Sequence, residues 1–296
     1  MTASPNRAPG ADVPIDLSVA LGAELPEQTF AWEPSQVQLY HLALGAGSQP
    51  LDTRELRYLD DAAPAVLPSF ATVAATMRRV DPPRVFFPGI DIELGKIVHG
   101  AQEISLHRPL PAAGQATTTT RIADVWDKGK AAVIVQESET VDAAGTPLWS
   151  ARSAIFARGE GGFGGARGPS ESVELPTREP DFELTVPTLP QQALLYRMCG
   201  DRNPLHSDPE FAARAGFPAP ILHGLCTYGL SCKALVDGAL DGDVNAVKGF
   251  RAKFAGVVFP GETLHVSAWR ADAGLIGKVT VAERDSPALA DLVVSL

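Results

Sequence analysis

Residues 219–236 read APILHGLCTYGLSCKALV, an apolar stretch that opens with Pro220 and the pair His223-Gly224. A stretch that is apolar all round is typical of a long buried helix. Segments with the composition of strands follow it, near 247–254, 263–270, 275–283 and 289–295. One long helix followed by strands predicts an α+β unit, in which a curved antiparallel sheet wraps around the helix.

The first half of the chain repeats this order of segments. Three stretches match the second half in the same order: VQLYHLALG (37–45) with ALLYRMCG (193–200), VLPSFATV (66–73) with ILHGLCTY (221–228), and LHRPLPAAG (106–114) with KFAGVVFPG (253–261). Three matches in order predict a duplicated unit. The first unit would then hold a longer apolar helix around 66–73, followed by strands near 116–125, 131–140 and 148–157.

Glycine and proline are concentrated between residues 159 and 190, where GEGGFGG is followed by several prolines. This density predicts a linker, because both residues interrupt helices and strands. The chain is therefore divided into a tail at 1–14, an N-terminal unit at 15–158, the linker at 159–190 and a C-terminal unit at 191–296. The tail is rich in Pro, Ala and Gly and lacks the apolar core of a signal peptide, so we expect it to be disordered.

Charge and composition disfavour several classes of protein. The formal net charge of −10 opposes binding to nucleic acid or to an anionic membrane. No apolar run approaches the ~20 residues that span a bilayer. The three cysteines form no CxxC pair and no ladder with zinc spacing, so we expect reduced thiols in a cytoplasmic protein and no metal site. The glycine-rich GEGGFGG does not lie between a strand and a helix, which argues against a dinucleotide site.

Residues 200–206, GDRNPLH, place Asp201, Asn203 and His206 on one irregular turn that Pro204 stiffens. Loops held by rigid elements often display reactive groups. A purely structural role stays open, since Asp and Asn near proline often cap turns and a single histidine is often just a hydrogen-bonded polar residue. Asp208 stands before Pro209, which is typical of a helix N-cap.

Gly224 lies where the long helix is predicted to begin. Its backbone N–H would be unobstructed at the positive end of the helix dipole, where it could hold a developing oxyanion. The alternative is that Gly224 only allows close packing between neighbouring elements.

Together these segments resemble the MaoC-like, type 2 (R-specific) enoyl-CoA hydratase family, which includes the hydratase portion of the peroxisomal multifunctional enzyme and actinobacterial stand-alone relatives. The main match is YRMCGDRNPLH (196–206), followed by AGF (215–217) and PILHGLCTYG (220–229). Shorter matches in the first half are LPSF (67–70), VHG (98–100), RPLP (108–111), DKG (127–129) and GGFGG (161–165). The resemblance implies a double hotdog fold, in which each of two fused units has a long helix wrapped by an antiparallel sheet.

The resemblance also implies a reaction, namely reversible syn hydration of a trans-2-enoyl-CoA to a (3R)-3-hydroxyacyl-CoA. The substrates would be long-chain fatty acyl or steroid side-chain CoA thioesters in β-oxidation. Asp201 and His206 would activate water, Asn203 would orient the reacting groups, and the N–H of Gly224 would bind the thioester oxygen. Substrate contacts are implied for His99, Gly100, Lys128, Arg202, Pro204, Leu205 and Phe254. The family implies no cofactor beyond the CoA of the substrate, and we expect a homodimer.

The chain departs from the family at one position and leaves two alternatives open. Animal members carry a glutamate directly after the tyrosine that matches Tyr58, whereas this chain has Leu59, followed by Asp60 and Asp61, to which we assign no role. Residues 45–47 contain no acid and no imidazole, so we expect one active site per chain and a first unit that has diverged to accept bulky acyl groups. The alternatives are a hotdog acyl-CoA thioesterase and a non-catalytic acyl-CoA-binding partner subunit.

Overall fold

The computed structural model describes residues 14–82, 86–170 and 172–296. The helices are α1 (Leu17–Ala20), α2 (Pro34–Ala43), α3 (Thr53–Leu56), α4 (Gln192–Tyr196), α5 (Pro209–Arg214) and α6 (Gly224–Ala239). The strands are β1 (Glu24–Trp32), β2 (Ile97–Leu106), β3 (Gly114–Asp127), β4 (Ala131–Asp142), β5 (Pro147–Arg158), β6 (Phe182–Pro187), β7 (Gly249–Phe254), β8 (Thr263–Ala271), β9 (Gly274–Val281) and β10 (Ser286–Ser295). Short 3-10 helices cover Arg57–Leu59, Pro68–Thr72, Leu94–Lys96, Arg197–Cys199 and Pro204–His206. Of the predicted tail, residues 1–13 lie outside the described residues.

All ten strands form one antiparallel sheet in the order β1-β3-β4-β5-β2-β7-β10-β9-β8-β6. The first five strands in this order come from the first half of the chain and the last five from the second. The two halves meet where β2 pairs with β7, from Ala101 opposite Lys253 to Ser105 opposite Gly249. This seam confirms the predicted α+β class, and it places the two units side by side in one sheet.

Helix α6 is the long buried helix that the sequence predicts. Most of its side chains between Cys226 and Val236 are buried, which explains why the segment is apolar on nearly every face. Gly229 allows α2 to approach, because a Cβ there would lie 2.6 Å from the Tyr40 hydroxyl. The Tyr228 hydroxyl donates a hydrogen bond to the Phe250 carbonyl on β7 at 2.5 Å. These contacts fix the helix against both the first half and the seam.

The predicted long helix of the first half is wrong. The segment forms only the 3-10 helix Pro68–Thr72, followed by turns. Its threonine hydroxyls bond to nearby carbonyls, Thr72 to Ser69 at 2.8 Å and Thr76 to Val73 at 2.9 Å. Such local side-chain bonds compete with the regular helical pattern. Among the described residues, the second half alone therefore carries a long central helix.

The predicted linker at 159–190 is wrong over residues 182–187, which form the edge strand β6 beside β8. Phe182, Leu184 and Val186 pack against the core, while the side chains between them face outward. This alternation of apolar and polar residues is typical of a half-buried strand, but the neighbouring prolines hide it. Strands β1 and β2 also lie outside the predicted strands. None of the helices in the described part of the chain is long and apolar enough to cross a membrane.

Candidate active site

The loop that carries Asp201 is fixed against the first half of the molecule. Gly200 has φ +106°, and a Cβ at this position would overlap the carbonyl oxygen of Thr76. The Thr76 hydroxyl in turn donates to the Cys199 carbonyl at 3.0 Å. Only glycine allows this conformation and this close approach. The backbone on the N-terminal side of Asp201 is therefore held by residues more than a hundred positions earlier in the sequence.

Asp201 and Asn203 organise the loop through their own side chains. The Asp201 Oδ1 accepts the backbone N–H of Asn203, and the Asn203 Oδ1 accepts the N–H of Leu205, both at 3.1 Å. The second bond caps the 3-10 helix Pro204–His206. The capping role that the sequence left open is thus real, and its effect is to place His206 on the same side of the loop as Asp201.

His206 has a defined tautomer. Its Nδ1 lies 2.8 Å from the Ile221 carbonyl, and because a carbonyl only accepts, Nδ1 carries the proton. The lone pair of the neutral ring is therefore on Nε2. Burial lowers the pKa of His206 below its usual value, although the charge of Asp201 acts in the opposite direction. A lowered pKa favours the neutral ring, whose Nε2 can accept a proton.

A second imidazole, that of His223, lies directly against His206. The two rings stack with centroids 3.7 Å apart and planes inclined by 25°. Asp201, His206 and His223 bring possible ligand atoms within 4.8 Å of one another. A metal ion lies in the plane of each ring that binds it, at about 2.0–2.1 Å from nitrogen. Two stacked rings do not share such a point, so this arrangement suits acid–base chemistry better than metal binding.

Helix α6 begins at Gly224, beside this cluster. No side chain caps its N-terminus, so the first backbone N–H groups remain available at the positive end of the helix dipole. A Cβ on Gly224 would lie 3.0 Å from ring atoms of Phe254. Close packing against Phe254 is therefore one reason for a glycine at this position.

The first half contributes to the same site at the end of the seam. The β2–β7 ladder stops at Ala101 and Lys253, and the next rings along the two strands, His99 and Phe254, lie 4.7 Å apart between centroids. Burial lowers the pKa of His99 to about 4, whereas the nearby charge of Asp201 acts to raise it. Gly100 is the position where β2 shifts register against β5. The loop that carries Asp201 and His206 therefore meets both halves of the sheet.

A cleft of about 780 Å³ lies at Gly100 on the outer surface of the sheet. Its lining is rich in cations, which are Lys128, Arg152, Arg251 and Lys253, together with the acids Glu103 and Asp291 and the ring of Trp126. Burial lowers the pKa of Lys128, and so do the neighbouring charges of Arg167 and Lys253. Positive charge is thus concentrated locally on a chain whose formal net charge is −10.

Known proteins resemble the chain over almost its full length. Residues 30–159 match the MFE-2 hydratase 2 N-terminal domain, and residues 171–289 match the MaoC like domain. Enoyl-CoA hydratase ChsH3 of Mycobacterium tuberculosis is 58% identical over 274 residues, which are 93% of this chain and 96% of that protein. The chain belongs to the MaoC-like enoyl-CoA hydratases. The peroxisomal enoyl-CoA hydratase 2 of Arabidopsis thaliana is 36% identical, over 95% of this chain and 96% of the relative.

Solved structures agree with this assignment. The MaoC-like dehydratase from Phytophthora capsici superposes with a TM-score of 0.85 at 29% identity, over 95% of this chain and 97% of that one. A Mycobacterium tuberculosis protein described as having a double hotdog fold superposes with a TM-score of 0.57 at 14% identity, over 94% of this chain and 97% of that one, and shows the fold alone. The expectations of a double hotdog fold and of an enzyme of the enoyl-CoA hydratase class are confirmed.

The hydratase brings together only part of the predicted set. Asp201, Asn203 and His206 lie on one loop, and Gly224, His99 and Phe254 lie beside it, while Gly100 and Lys128 line the outer cleft. The Leu205 side chain packs instead in a small apolar cluster with Ala212 and Ile221. Arg202 donates from Nε to the Arg79 carbonyl at 3.4 Å, and Pro204 begins the 3-10 helix.

Three further aspartates that the sequence singles out make local hydrogen bonds. Asp208 accepts the N–H groups of Glu210 and Phe211, which confirms the predicted N-cap of α5. Asp60 accepts two backbone N–H groups of its own turn, and Asp61 accepts the Gln38 amide.

Sequence reasoning missed His223 and the cleft cations other than Lys128. The position of His223 directly before Gly224 was the available signal for it.

Proposed function

We propose that this hydratase adds water reversibly to trans-2-enoyl-CoA thioesters, with syn geometry, to give (3R)-3-hydroxyacyl-CoA. The observation that carries the proposal is the placement of the Asp201 carboxylate and the unprotonated His206 Nε2 beside the uncapped start of α6. An acid–base pair next to an oxyanion donor is what hydration of a conjugated thioester requires.

The reaction begins with a water molecule between Asp201 and His206. The pair takes one proton from the water as its oxygen attacks C3, and the electrons of the double bond shift toward the thioester oxygen. The pair then returns a proton to C2, so that one O–H bond breaks while a C–O and a C–H bond form. Addition is syn because both groups come from the same side of the substrate.

The other loop and helix residues stabilise and orient the reacting groups. The Gly224 N–H donates to the thioester oxygen as charge develops on it, a contribution of about 3–4 kcal/mol for one such donor. The Asn203 Oδ1 is used within the loop, which leaves its Nδ2 group to donate toward the reacting atoms. The His99 and Phe254 rings, 4.7 Å apart between centroids, lie where the first half of the chain meets this region.

The outer cleft is the proposed binding site for the CoA moiety. CoA carries several phosphate charges, and cations outnumber acids in the lining of this cleft although the chain as a whole is acidic. Lys128 Nζ lies 2.9 Å from the Pro169 carbonyl and 5.3 Å from the centre of the Trp126 ring, so it is already held at the cleft. Arg152, Arg251 and Lys253 extend this surface toward the seam.

The acyl group is proposed to be a long fatty acyl chain or a steroid side chain. The support is the short 3-10 helix Pro68–Thr72, which occupies the place of a second long helix in the first half. The reaction as written moves only water and protons, so the proposal includes no metal, flavin or nicotinamide. The homodimer and the cytoplasmic location stay predictions.

A panel of enoyl-CoA substrates tests the proposal, from a four-carbon chain to a steroid side chain. We expect loss of the enoyl absorbance without release of free thiol, and a (3R) product for the preferred members. In D₂O, the relative configuration of the C2 deuteron and the C3 hydroxyl reports syn or anti addition. Thiol release with an intact enoyl group would indicate the thioesterase alternative, and a (3S) product would contradict the stereochemical proposal.

A further inference from the structure

His223 has no part in the mechanism described above, yet it contacts both members of the acid–base pair. It is 1% exposed and stands directly before Gly224. Its ring stacks on that of His206 at 3.7 Å, and the Tyr196 ring lies 5.0 Å away between centroids. The side chain is thus enclosed between the catalytic loop and the start of α6.

The hydrogen bond of His223 defines its tautomer. Its Nε2 lies 3.2 Å from the backbone carbonyl of Asp201, and because a carbonyl only accepts, Nε2 carries the proton. Its Nδ1 is buried and has no hydrogen-bond partner among the described residues. The neutral ring therefore makes one hydrogen bond, in which Nε2–H donates to the Asp201 carbonyl and holds the backbone there.

Three parts of the site converge on this one ring. The Asp201 backbone is held by the Nε2–H donor, the face of His206 rests on the ring, and the His223 main chain leads directly into Gly224. A displacement of the ring would change the positions of the acid, the base and the oxyanion donor relative to one another. Misplacement of catalytic groups by about 1 Å can reduce the rate by about 100-fold.

We propose that His223 is a positioning residue for the hydration, which holds Asp201 and His206 in their working geometry without touching the substrate. The inference rests on the proposed function, in which Asp201 and His206 act as the acid–base pair. The protonation state of His223 supports the positioning role. Burial first, and then the neighbouring charge of His206, lower the pKa of His223 well below its usual value. A neutral His223 can therefore remain in contact with His206 while His206 carries the proton taken from water.

Two substitutions separate the two contacts of the ring. His223→Phe keeps an aromatic ring for stacking and removes the donor, whereas His223→Gln keeps an Nε2 donor and removes the ring. We expect His223→Phe to lower kcat by about 10- to 100-fold while KM stays within about twofold, because substrate contacts are unchanged. We expect His223→Gln to recover about tenfold of that loss through the donor to Asp201.

A buried histidine elsewhere in the chain supplies the matched control. His41 is fully buried, and its Nδ1 donates to the Tyr58 carbonyl at 2.9 Å, far from the catalytic loop in sequence. We expect His41→Phe to lower the melting temperature and to leave kcat per folded molecule unchanged. All variants are compared by thermal unfolding and by circular dichroism, so that kcat is referred to folded protein.

The outcomes distinguish this inference from the function on which it rests. A folded His223→Phe variant with normal kcat would overturn the positioning role, and so would a loss of rate that only follows the folded fraction. Equal losses in the Phe and Gln variants would overturn the role of the Asp201 hydrogen bond. Normal turnover in Asp201→Asn or His206→Gln, measured in the same assay, would instead contradict the proposed function itself.

Discussion

The two halves of the chain place similar loops at corresponding positions but treat their charged groups differently. Both loops begin at a glycine in the left-handed region, Gly45 at φ +78° and Gly200 at φ +106°. In the first half, the Glu55 carboxylate that follows is bonded to Lys233 at 2.6 Å and to the Gly47 N–H at 3.0 Å. In the second half, the Asp201 carboxylate is hydrogen-bonded only within its own loop among the described residues, and it lies beside Nε2 of His206.

The two carboxylates differ in their ionic partners. Glu55 belongs to a network in which Lys233 and Arg57 both pair with Asp237, at 2.9 and 2.8 Å, and the Tyr58 hydroxyl donates to the same carboxylate at 2.7 Å. This network joins the first half to α6. The carboxylate of Asp201 and Nε2 of His206 have no such partners among the described residues, which is what the proposed acid–base role requires. Similar turns thus lead to an ion-pair network in one half and to the proposed active site in the other.

The largest expected effect concerns the acid–base pair. We expect Asp201→Asn or His206→Gln to lower kcat by at least about 100-fold with the fold intact, since acid–base groups contribute about 10²–10⁴. The matched change in the first half is Glu55→Gln, which should cost stability and leave kcat per folded molecule unchanged. Enoyl hydration rates and urea unfolding measure the two quantities. A large loss of kcat in Glu55→Gln would contradict the proposal that the first-half carboxylate acts on stability and the second-half pair acts on the reaction.

The two loop glycines give the next effect. Gly200→Ala introduces strain of about 1–2 kcal/mol, and overlap with Thr76 should add about 1–3 kcal/mol. Gly45→Ala should cost only the strain, because a Cβ there has no neighbour within 4 Å. Denaturant midpoints compare the two variants. Equal destabilisation would mean that the contact with Thr76 does not constrain the loop that carries Asp201.

Substrate binding gives a smaller effect, which depends on the first half. We expect Lys128→Met to raise KM for acyl-CoA by about tenfold at low salt with little change in kcat, because one charge-assisted bond contributes about 1.5–3 kcal/mol. Added salt should reduce the difference from wild type. Lys130→Met, at an exposed neighbouring position, is the control. A fall in kcat alone would place Lys128 outside CoA binding.

The smallest expected effect is a difference in pH dependence between two buried histidines: His41 should affect stability, and His206 should affect the rate. Burial lowers the pKa of His41 to about 4, and its unfolded value is about 6.5, so the unfolded chain binds the extra proton between these values. The stability that His41 contributes is present above pH ~6.5 and is lost as pH falls toward its folded pKa of about 4. His41→Gln should flatten this part of the stability profile and leave the pH profile of kcat/KM unchanged. His206 should act on the rate instead, with an acidic limb below pH ~6.5 because its pKa is lowered.

Local patterns were enough to predict some elements and insufficient for others. Helix α6 and the Asp208 cap could be predicted because an apolar run and an N-cap are local features. The helix around 66–73 was predicted by analogy with α6, but threonine side chains bonded to nearby carbonyls favour a 3-10 turn there. Strand β6 has the alternation of apolar and polar residues that predicts a strand, but the prolines on either side of it favour a linker instead.

The site residues that are contiguous in sequence could be predicted, whereas those brought together by folding could not. The loop motif and Gly224 are contiguous in sequence, so their residues could be named. The stack of His223 on His206 depends on how the chain folds back between them, and no spacing rule indicates it. The cleft cations lie on β5 and β7, as well as on the turn after β3, and β5 and β7 are brought together only because each pairs with β2.

The seam between β2 and β7 has a further consequence for how such an enzyme can change over time. Two identical subunits joined at this ladder would repeat every substitution on both sides of a twofold axis. Covalent fusion removes that restriction, so a mutation that shortens one helix does not shorten the other. The short 3-10 helix Pro68–Thr72 in one half and the long α6 in the other are a difference that only a fused chain can carry.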